Sequence, residues 1–527
     1  MFRFKNFFYR RNSITGGAMI IALFSIFSRL LGLLRDRFLT GSFGAGQVLD
    51  AYYTAFRLPD LVFNTLILGA FSSAFIPVFL QYFSQDKKQA WRITNSILNL
   101  LFLIVLSLTI LLFILSPMII NLMVPGFTLE TKTLTISLTR IMLIGILFFT
   151  LSNVAGSVLN SFRRFLVYSL APVMYNLGII FRIVVLTKTS LGLTGLAWGV
   201  VLGAALHFLI QIPALLKTGY RWRPRFDIFN PAVKKIITLM LPRCFGLAIN
   251  QFNFIIITFM ASIITVGAVA IYNLAFNLVN FPISIFGFSL AVSIFPVLSQ
   301  NFIDGNKKDF ADYFSKTIRV IFYVIIPTTI LFISLRAQIV RLILGVGVFS
   351  WRDTVLTAQA LGWFSISLFA QSLIPIFAKA FYATQDTKTP VKIAIVAFFI
   401  NIIGAVILGP LMGIGGLALA LSISSLVNFG LLYWAFNKKV VPLQDKEIIY
   451  SVFKIIILSI LMGVVVQGIK YQLALLVDMQ TFIGVLTQTV AAILGGALFY
   501  FAISLVLKLK EAQMIYRLVI KKLIRSS

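Results

Sequence analysis

The sequence predicts an all-α polytopic membrane protein of about fourteen transmembrane helices, built as two pseudo-symmetric six-helix lobes followed by two C-terminal helices. Three observations predict it. The 527 residues are 60% hydrophobic and 11% charged, with a mean hydropathy of +1.00, whereas a soluble chain carries about 25% charged residues. Apolar runs of bilayer-spanning length alternate with short connections that are strongly basic on one side and nearly bare on the other. Segments of the two halves repeat one another at a separation of roughly 220 residues.

A helix needs about 20 apolar residues to cross the hydrocarbon core. That gauge places spans at about 14–38, 50–80, 93–115, 133–157, 165–187, 192–216, 232–260, 265–299, 314–338, 355–383, 390–409, 413–436, 448–469 and 480–507. The opening stretch has the basic and apolar parts of a signal peptide but no small-x-small cleavage site before Arg29, so it reads as a retained first span.

Net charge is +30, from 45 Lys+Arg against 15 Asp+Glu. On a soluble protein such a balance points to nucleic acid; here the basic residues fall in alternate loops, and no nucleic-acid partner is expected. One set of loops contains Arg3, Lys5, Arg10 and Arg11, then Lys87, Lys88 and Arg92, Arg163 and Arg164, Lys217 to Lys235, Lys307 to Lys316, Lys388, Lys392, Lys438 to Lys446, and the tail from Lys508. The opposite turns at 262–266 and 409–413 contain no Lys or Arg. This bias puts both termini in the cytoplasm and the chain in the inner membrane. The tail reads either as an amphipathic helix on anionic lipid or as an ordinary basic anchor.

Cys244 is the only cysteine and His207 the only histidine, which excludes an intrachain disulfide and any zinc site needing two of either. There is no GxxxxGK[ST] loop, so ATP is not the direct driver. No cofactor is expected, and a membrane potential or an ion gradient is the expected source of energy.

Within the duplication, residues 28–33 parallel 242–247 and align Arg29 with Arg243, 75–83 parallel 294–302, and 192–208 parallel 413–429. Six helices per copy give both copies the same orientation, with the expected substrate path between two lobes. The expected divisions are an N-terminal lobe at 1–218, a C-terminal lobe at 219–440, and the last two helices with a basic tail at 441–527.

Ionisable residues inside these spans mark the candidate site, since each costs about 2.5–3.5 kcal/mol in lipid unless it finds a partner or water. Arg29, Arg35 and Asp36 lie in the first span, with Arg29 and Asp36 on one face by their spacing of seven; Asp50, Arg57 and Asn64 form one stripe on the second. Two such stripes suggest a shared hydrated cavity, and an excess of arginine suits a phosphate or diphosphate. The competing reading is that Arg35, Asp36, Asp50 and Arg57 form ion pairs that lock helices one and two. Arg243, Arg140, Arg182 and Lys379 lie near helix ends or breaks, where snorkelling accounts for them. His207 aligns with Asn428 in the repeat, which favours an interhelical hydrogen bond over a proton relay. Pro59, Pro77, Pro282, Pro296 and Pro375 should kink their spans.

Several stretches together resemble the MurJ (MviN) family of lipid II flippases: SRLLGLLRDRFLTGSFGAGQVLDAYYTAFRLPDL at 28–61, GAFSSAFIPVF at 69–79, NSFRRFLVYSLAPVMYN at 160–176, LPRCFGLAINQ at 241–251, FPISIFGFSLAVSIFPVLS at 281–299 and KAFYATQDTKTPVKIAI at 379–395. The resemblance covers essentially the whole chain. It implies the fourteen-helix fold of the multidrug/oligosaccharidyl-lipid/polysaccharide exporter superfamily, with a cationic cavity for lipid II. Arg29, Arg35, Asp36 and Asp50 match charged positions that the family uses at its cavity and outer gate, and Arg57 stands where the family has a basic residue. Asn64, Arg243 and Asn277 complete the candidate set. The resemblance also implies that the last two helices hold the polyprenyl tail.

Phe63, Asn64 and Leu68 stand where the family has a basic pair and a glutamate. Phe276, Asn277 and Asn280 stand where it has an Asp-Arg pair and a glutamate, and Ile257 replaces an acid. The expected activity is movement of a lipid-linked cell-wall precursor from inner to outer leaflet, by a monomer that works beside the division or elongation machinery. The other readings are an exporter of another polyprenyl-diphosphate-linked glycan, a membrane-embedded enzyme, which the scattered acids disfavour, and an inactive scaffold.

Overall fold

The computed structural model describes residues 14–68, 71–186, 192–514 and 516–517. The basic N-terminal residues Arg3 to Arg11 and the end of the tail, 518–527, lie outside the described residues. Contacts divide the chain into two compact units, Met1–Ala270 and Ile271–Ser527.

The first unit opens with α1 (Ile14–Phe43), α2 (Gln47–Ala55) and α3 (Arg57–Val62), then a π-helical segment (Phe63–Leu68). It continues with α4 (Phe71–Gln85), α5 (Lys87–Met123), α6 (Leu129–Ser161), α7 (Phe165–Leu186), α8 (Gly195–Leu209), the short α9 (Ile212–Leu216) and α10 (Pro231–Ser262). The helix α11 (Ala268–Pro282) begins here and carries the chain into the second unit. There a second π-helical segment (Ile283–Phe288) precedes α12 (Ser289–Ile303), α13 (Lys307–Ser334), α14 (Arg336–Leu344), α15 (Trp351–Ser365), α16 (Leu368–Ala383), α17 (Lys388–Met412), α18 (Ile414–Lys439), α19 (Asp445–Ala474) and α20 (Phe482–Val506).

Among the described residues, eleven helices or continuous runs are long and apolar enough to cross a membrane, and thirteen when each of two bent pairs counts as one span. These thirteen coincide with the second to fourteenth expected spans. The expected first span is the 30-residue α1, which falls outside that set. The chain is a multi-pass, helical membrane protein.

Helix starts follow from their caps. Asp86 accepts from the Lys88 amide at 2.7 Å and Thr128 from that of Thr131 at 3.3 Å; Asn230 accepts from Ala232 ahead of α10, which has Pro231 in its first turn. Ser350 and Asp353 form a reciprocal capping box at the start of α15.

The cores are aromatic in both units. Phe71, Phe75, Phe79 and Phe83 recur every fourth residue on one face of α4, with successive rings 4.9, 5.3 and 5.4 Å apart, and Trp91, Phe162 and Tyr220 close over them. In the second unit Phe314, Phe377 and Phe436 pack mutually within 4.7–5.7 Å.

Of the two sharpest bends, one falls at a proline, Pro242 of α10, and the other does not. α15 and α16 meet at 48° across Ile366 and Ser367, ahead of Pro375. There the hydroxyls of Ser365 and Ser367 bond back to the carbonyls of Leu361 and Phe364, competing with the helical ladder. α10 bends by 43° between Leu241 and Gly246.

Glycines let neighbouring helices touch. A Cβ on Gly178 of α7 would lie 2.5 Å from the Gly203 Cα of α8, and one on Gly203 would lie 2.5 Å from the Tyr175 carbonyl oxygen. Gly178→Ala should therefore destabilise the first unit by about 1–3 kcal/mol through overpacking, read as a lower unfolding temperature in detergent. Gly430→Ala, which meets nothing within 4 Å, should leave that temperature unchanged.

Candidate functional site

The charged positions of the first unit resolve into four local arrangements. On α1, the Arg35 guanidinium donates to Asp36 Oδ1 from Nε at 3.1 Å and from Nη2 at 2.8 Å. Asp36 is buried, and the Tyr53 hydroxyl of α2 reaches the same oxygen at 3.5 Å. The ion pair is thus formed by sequence neighbours, and the Tyr53 phenol reaches it from α2.

Asp50 is buried in α2, and its carboxyl group caps a helix N-terminus. Its Oδ2 accepts from the Gly267 amide at 2.6 Å and its Oδ1 from the Ala270 amide at 2.8 Å, at the start of α11. The first amides of a helix have no intrahelical acceptor, and the two carboxyl oxygens supply it here. Gly267 has a φ of +87°, and a Cβ on it would stand 2.1 Å from the Ala45 carbonyl oxygen. A Cβ on Gly126 would stand 2.2 Å from that of Ser262. The ends of α1, α5 and α10 that lack basic residues are therefore in backbone contact.

Arg57 opens α3 and is buried. Its Nε donates to the Thr258 hydroxyl of α10 at 2.8 Å, and its guanidinium lies 5.3 Å from the ring centre of Phe254, one turn earlier on that helix. Asp50 and Arg57 do share one stripe, as their spacing predicts, but that stripe meets residues 254–270 instead of the polar face of α1. Of the four residues in the ion-pair reading, Arg35 and Asp36 form a salt bridge, and it lies within α1. The second span is also no single stiff rod: it passes from α2 to α3 at Phe56 and becomes π-helical at Phe63, carrying the half-buried Asn64 in that segment.

Arg29 differs from all of these. It lies exposed on α1, and among the described residues it has neither a hydrogen-bond nor an ion-pair partner. Arg243, its counterpart in the repeat, is exposed at the bend of α10 and donates to the Ser73 hydroxyl of α4. Asn277 belongs to the second unit, half-buried on α11.

At two of the positions where the resemblance implies a charge, Phe63 and Phe276, an aromatic ring packs against other rings. Phe63 packs at 4.8 Å from Phe149, and Phe276 lies 6.3 Å from Tyr272 and 5.8 Å from Phe364. Ile257 is buried, and Asn280 donates to the Phe276 carbonyl.

The remaining polar residues have structural partners. His207 Nδ1 and the Ser152 hydroxyl lie 2.6 Å apart, joining α8 to α6 as the repeat suggests, and Gln211 donates to the same hydroxyl at 2.6 Å. Arg140 bonds the Phe113 carbonyl and Ser116, and Lys379 stands 5.2 Å from the Phe295 ring. Arg182 corrects the snorkelling expectation: it is buried, donating to the Gly195 carbonyl at 3.1 Å in space left by Gly195 and Gly199. A long side chain need not reach water when two glycines on the facing helix admit it.

Asn95, Ser96 and Asn99 on α5 are not among the candidates named from the sequence. They bind the backbone of the 220–227 segment, Asn99 donating to the Arg223 and Arg225 carbonyls at 2.9 Å each. Two asparagines four apart in an otherwise apolar helix are the signal that marks them.

The sequence profile of the lipid II flippase MurJ family matches residues 39–487. The chain belongs to the MurJ family. A probable lipid II flippase MurJ of Buchnera aphidicola subsp. Acyrthosiphon pisum is 31% identical over 468 residues, covering 88% of this chain and 91% of the relative. The lipid II flippase MurJ of Burkholderia cenocepacia is 30% identical over 429 residues, covering 80% and 83%. Among solved structures, a lipid II flippase MurJ in an inward closed conformation superposes with a TM-score of 0.77 at 26% identity, over 93% of this chain and 99% of that one. An inward-facing multidrug resistance transporter of the MATE family and MOP superfamily reaches a TM-score of 0.66 at 15% identity, over 79% and 96%, which extends the likeness in fold.

Asp50→Ala should cost about 1–2 kcal/mol, the range for a lost helix cap, seen as a lower unfolding temperature. A cysteine placed at Thr265 should then be labelled faster. Asp50→Asn, whose amide oxygen still accepts a hydrogen bond, should show a smaller effect in both measurements.

Proposed function

We propose that this chain is a lipid II flippase of the cytoplasmic membrane, moving its substrate from the inner to the outer leaflet by alternating access while the polyprenyl tail stays in lipid. The observation that carries this reading is Arg29, an exposed guanidinium without a partner among the described residues, within a 30-residue apolar helix. Left against hydrocarbon it costs about 2.5–3.5 kcal/mol, a cost avoided when the residue lines a wet chamber that receives an anion. A diphosphate supplies oxygens that match the guanidinium fork. Family membership and relatives named as lipid II flippases support the same substrate.

Each copy of the repeat also contains a place to bend. The π-helical segments begin at Phe63 and Ile283, 220 residues apart, at corresponding positions of the duplication. A π turn holds one residue more than an α turn and interrupts the regular ladder, and such segments concentrate at functional sites. Paired interruptions in the second and eighth spans suit helices that change shape in each transport cycle.

The basic loops favour cytoplasmic termini, and the last two helices, outside the duplication, are left to hold the tail. Energy comes from the membrane potential or an ion gradient, since no phosphate-binding loop is present. The protein acts as a monomer, at the sites where the division and elongation machinery consume lipid II.

Arg29→Ala should lower lipid II flipping about 10- to 100-fold, the equivalent of one charged hydrogen bond at about 1.5–3 kcal/mol. The checks are growth of a strain depleted of its own flippase and accessibility of lipid II in the outer leaflet. Full rescue by both Arg29→Ala and Arg57→Ala at normal protein levels would overturn the reading. Deleting Leu66 or Ile285 turns a π turn into an α turn while keeping the register on either side; membrane insertion should persist and flipping should be lost.

A further inference from the structure

We propose that the first unit holds an anionic phospholipid of the leaflet that its basic loops face, with one acyl chain in a groove between α5 and α8 and the phosphate on Arg221, Arg223 and Arg225. The groove is a cavity of about 350 Å³. α5 and α8 each pack on α6 and stand apart from one another, so α6 forms the floor. Leu98 and Phe102 of α5, Val154 and Val158 of α6, and Phe208 of α8 make its walls apolar, and Trp222 of the 220–227 segment joins the lining. None of its lining residues belongs to α1, α2, α3 or α10, so the groove is separate from the charged positions proposed to serve transport.

The stretch around Trp222 is built with unusual care for a connecting segment. Asn95, buried on α5, donates to the Arg221 carbonyl at 3.1 Å and accepts from the Tyr220 hydroxyl at 2.7 Å and the Arg223 amide at 3.2 Å. Asn99 donates to the Arg223 and Arg225 carbonyls and accepts from the Trp222 indole at 3.0 Å. The Asp227 amide bonds the Ser96 hydroxyl at 3.3 Å. Burial pushes the Tyr220 phenol up, which keeps it a neutral donor to Asn95.

This strap fixes the backbone of residues 220–227 while leaving its cations free. Arg221, Arg223 and Arg225 are exposed, and among the described residues their guanidinium groups have no hydrogen-bond or ion-pair partner. Three unpaired arginines on a fixed segment beside an apolar groove complement a molecule with a phosphate at one end and a hydrocarbon chain at the other. An aromatic ring at the junction suits the level where headgroup meets chain. The charge selects against a zwitterionic lipid, and the groove against a free phosphate. This proposal needs the membrane reading but not the transport reading.

Trp222 supplies the test. In vesicles, the Trp222 emission is obtained as the difference between the parent protein and Trp222→Phe. Brominated phosphatidylglycerol, at a minor fraction in phosphatidylcholine, should quench that emission several-fold more than the same fraction of brominated phosphatidylcholine. The preference should fall about fivefold for each arginine replaced by glutamine, and Ala155→Phe, which fills the groove, should abolish quenching by either lipid. Equal quenching by the two lipids, or a preference unchanged in the triple Arg→Gln variant, overturns the proposal. So does relief of quenching by undecaprenyl phosphate in preference to phosphatidylglycerol, which would give the groove to the transported lipid. If the triple variant does not fold, each single Arg→Gln variant gives the same reading.

Discussion

The constraint on which the first unit depends is the cost of an ion or an unsatisfied amide where water is scarce. Asp50 and the first amides of α11 meet it together: the carboxyl group finds donors, and amides that would have no acceptor find its oxygens. Gly267 makes the approach possible, because its positive φ and missing side chain allow the backbone to reach Ala45. Arg57 meets the same cost with a hydroxyl and a ring on α10. These contacts explain why α10, which the repeat places in the second copy, packs in the first compact unit.

Neutral partners have a mechanical consequence. A full salt bridge between Arg57 and a carboxylate of α10 would bind the two helices in one arrangement, since breaking a buried pair by removing a partner costs about 3–5 kcal/mol. The helix α10 has no acidic residue, so it meets Arg57 through neutral groups, the Thr258 hydroxyl and the Phe254 ring among them, and no such salt bridge joins the two helices. Phe63 and Phe276, where the resemblance implies charges, are held by packing against other rings. Arg29 lies exposed on α1, without a hydrogen-bond or ion-pair partner among the described residues.

Much of this was legible in the sequence, and for identifiable reasons. Hydrocarbon demands long apolar runs, so the positions of the spans follow from composition alone. The duplication extends to fine structure, because the π-helical segments lie at corresponding places in both copies. His207 was read correctly as an interhelical donor or acceptor because a lone polar residue in an apolar helix has few other uses. Arg182 was misread: nothing local distinguishes an arginine that snorkels from one that enters a gap left by Gly195 and Gly199, thirteen and seventeen residues away. The asparagines of α5 are not among the sequence candidates because their partners are carbonyls about 125 residues distant, and a carbonyl has no sequence signature.

The sequence by itself determined the solvent, the spans, the repeat and the family, since each rests on patterns that local chemistry imposes along the chain. Tertiary structure alone decided which charges are satisfied and by what: Asp50 by the amides of α11, Arg57 by Thr258, Asp36 by its neighbour Arg35 and Tyr53. Spacing fixes the face on which a side chain lies, but only packing brings a partner to that face, and in a low-dielectric interior the partner decides what an ion can do.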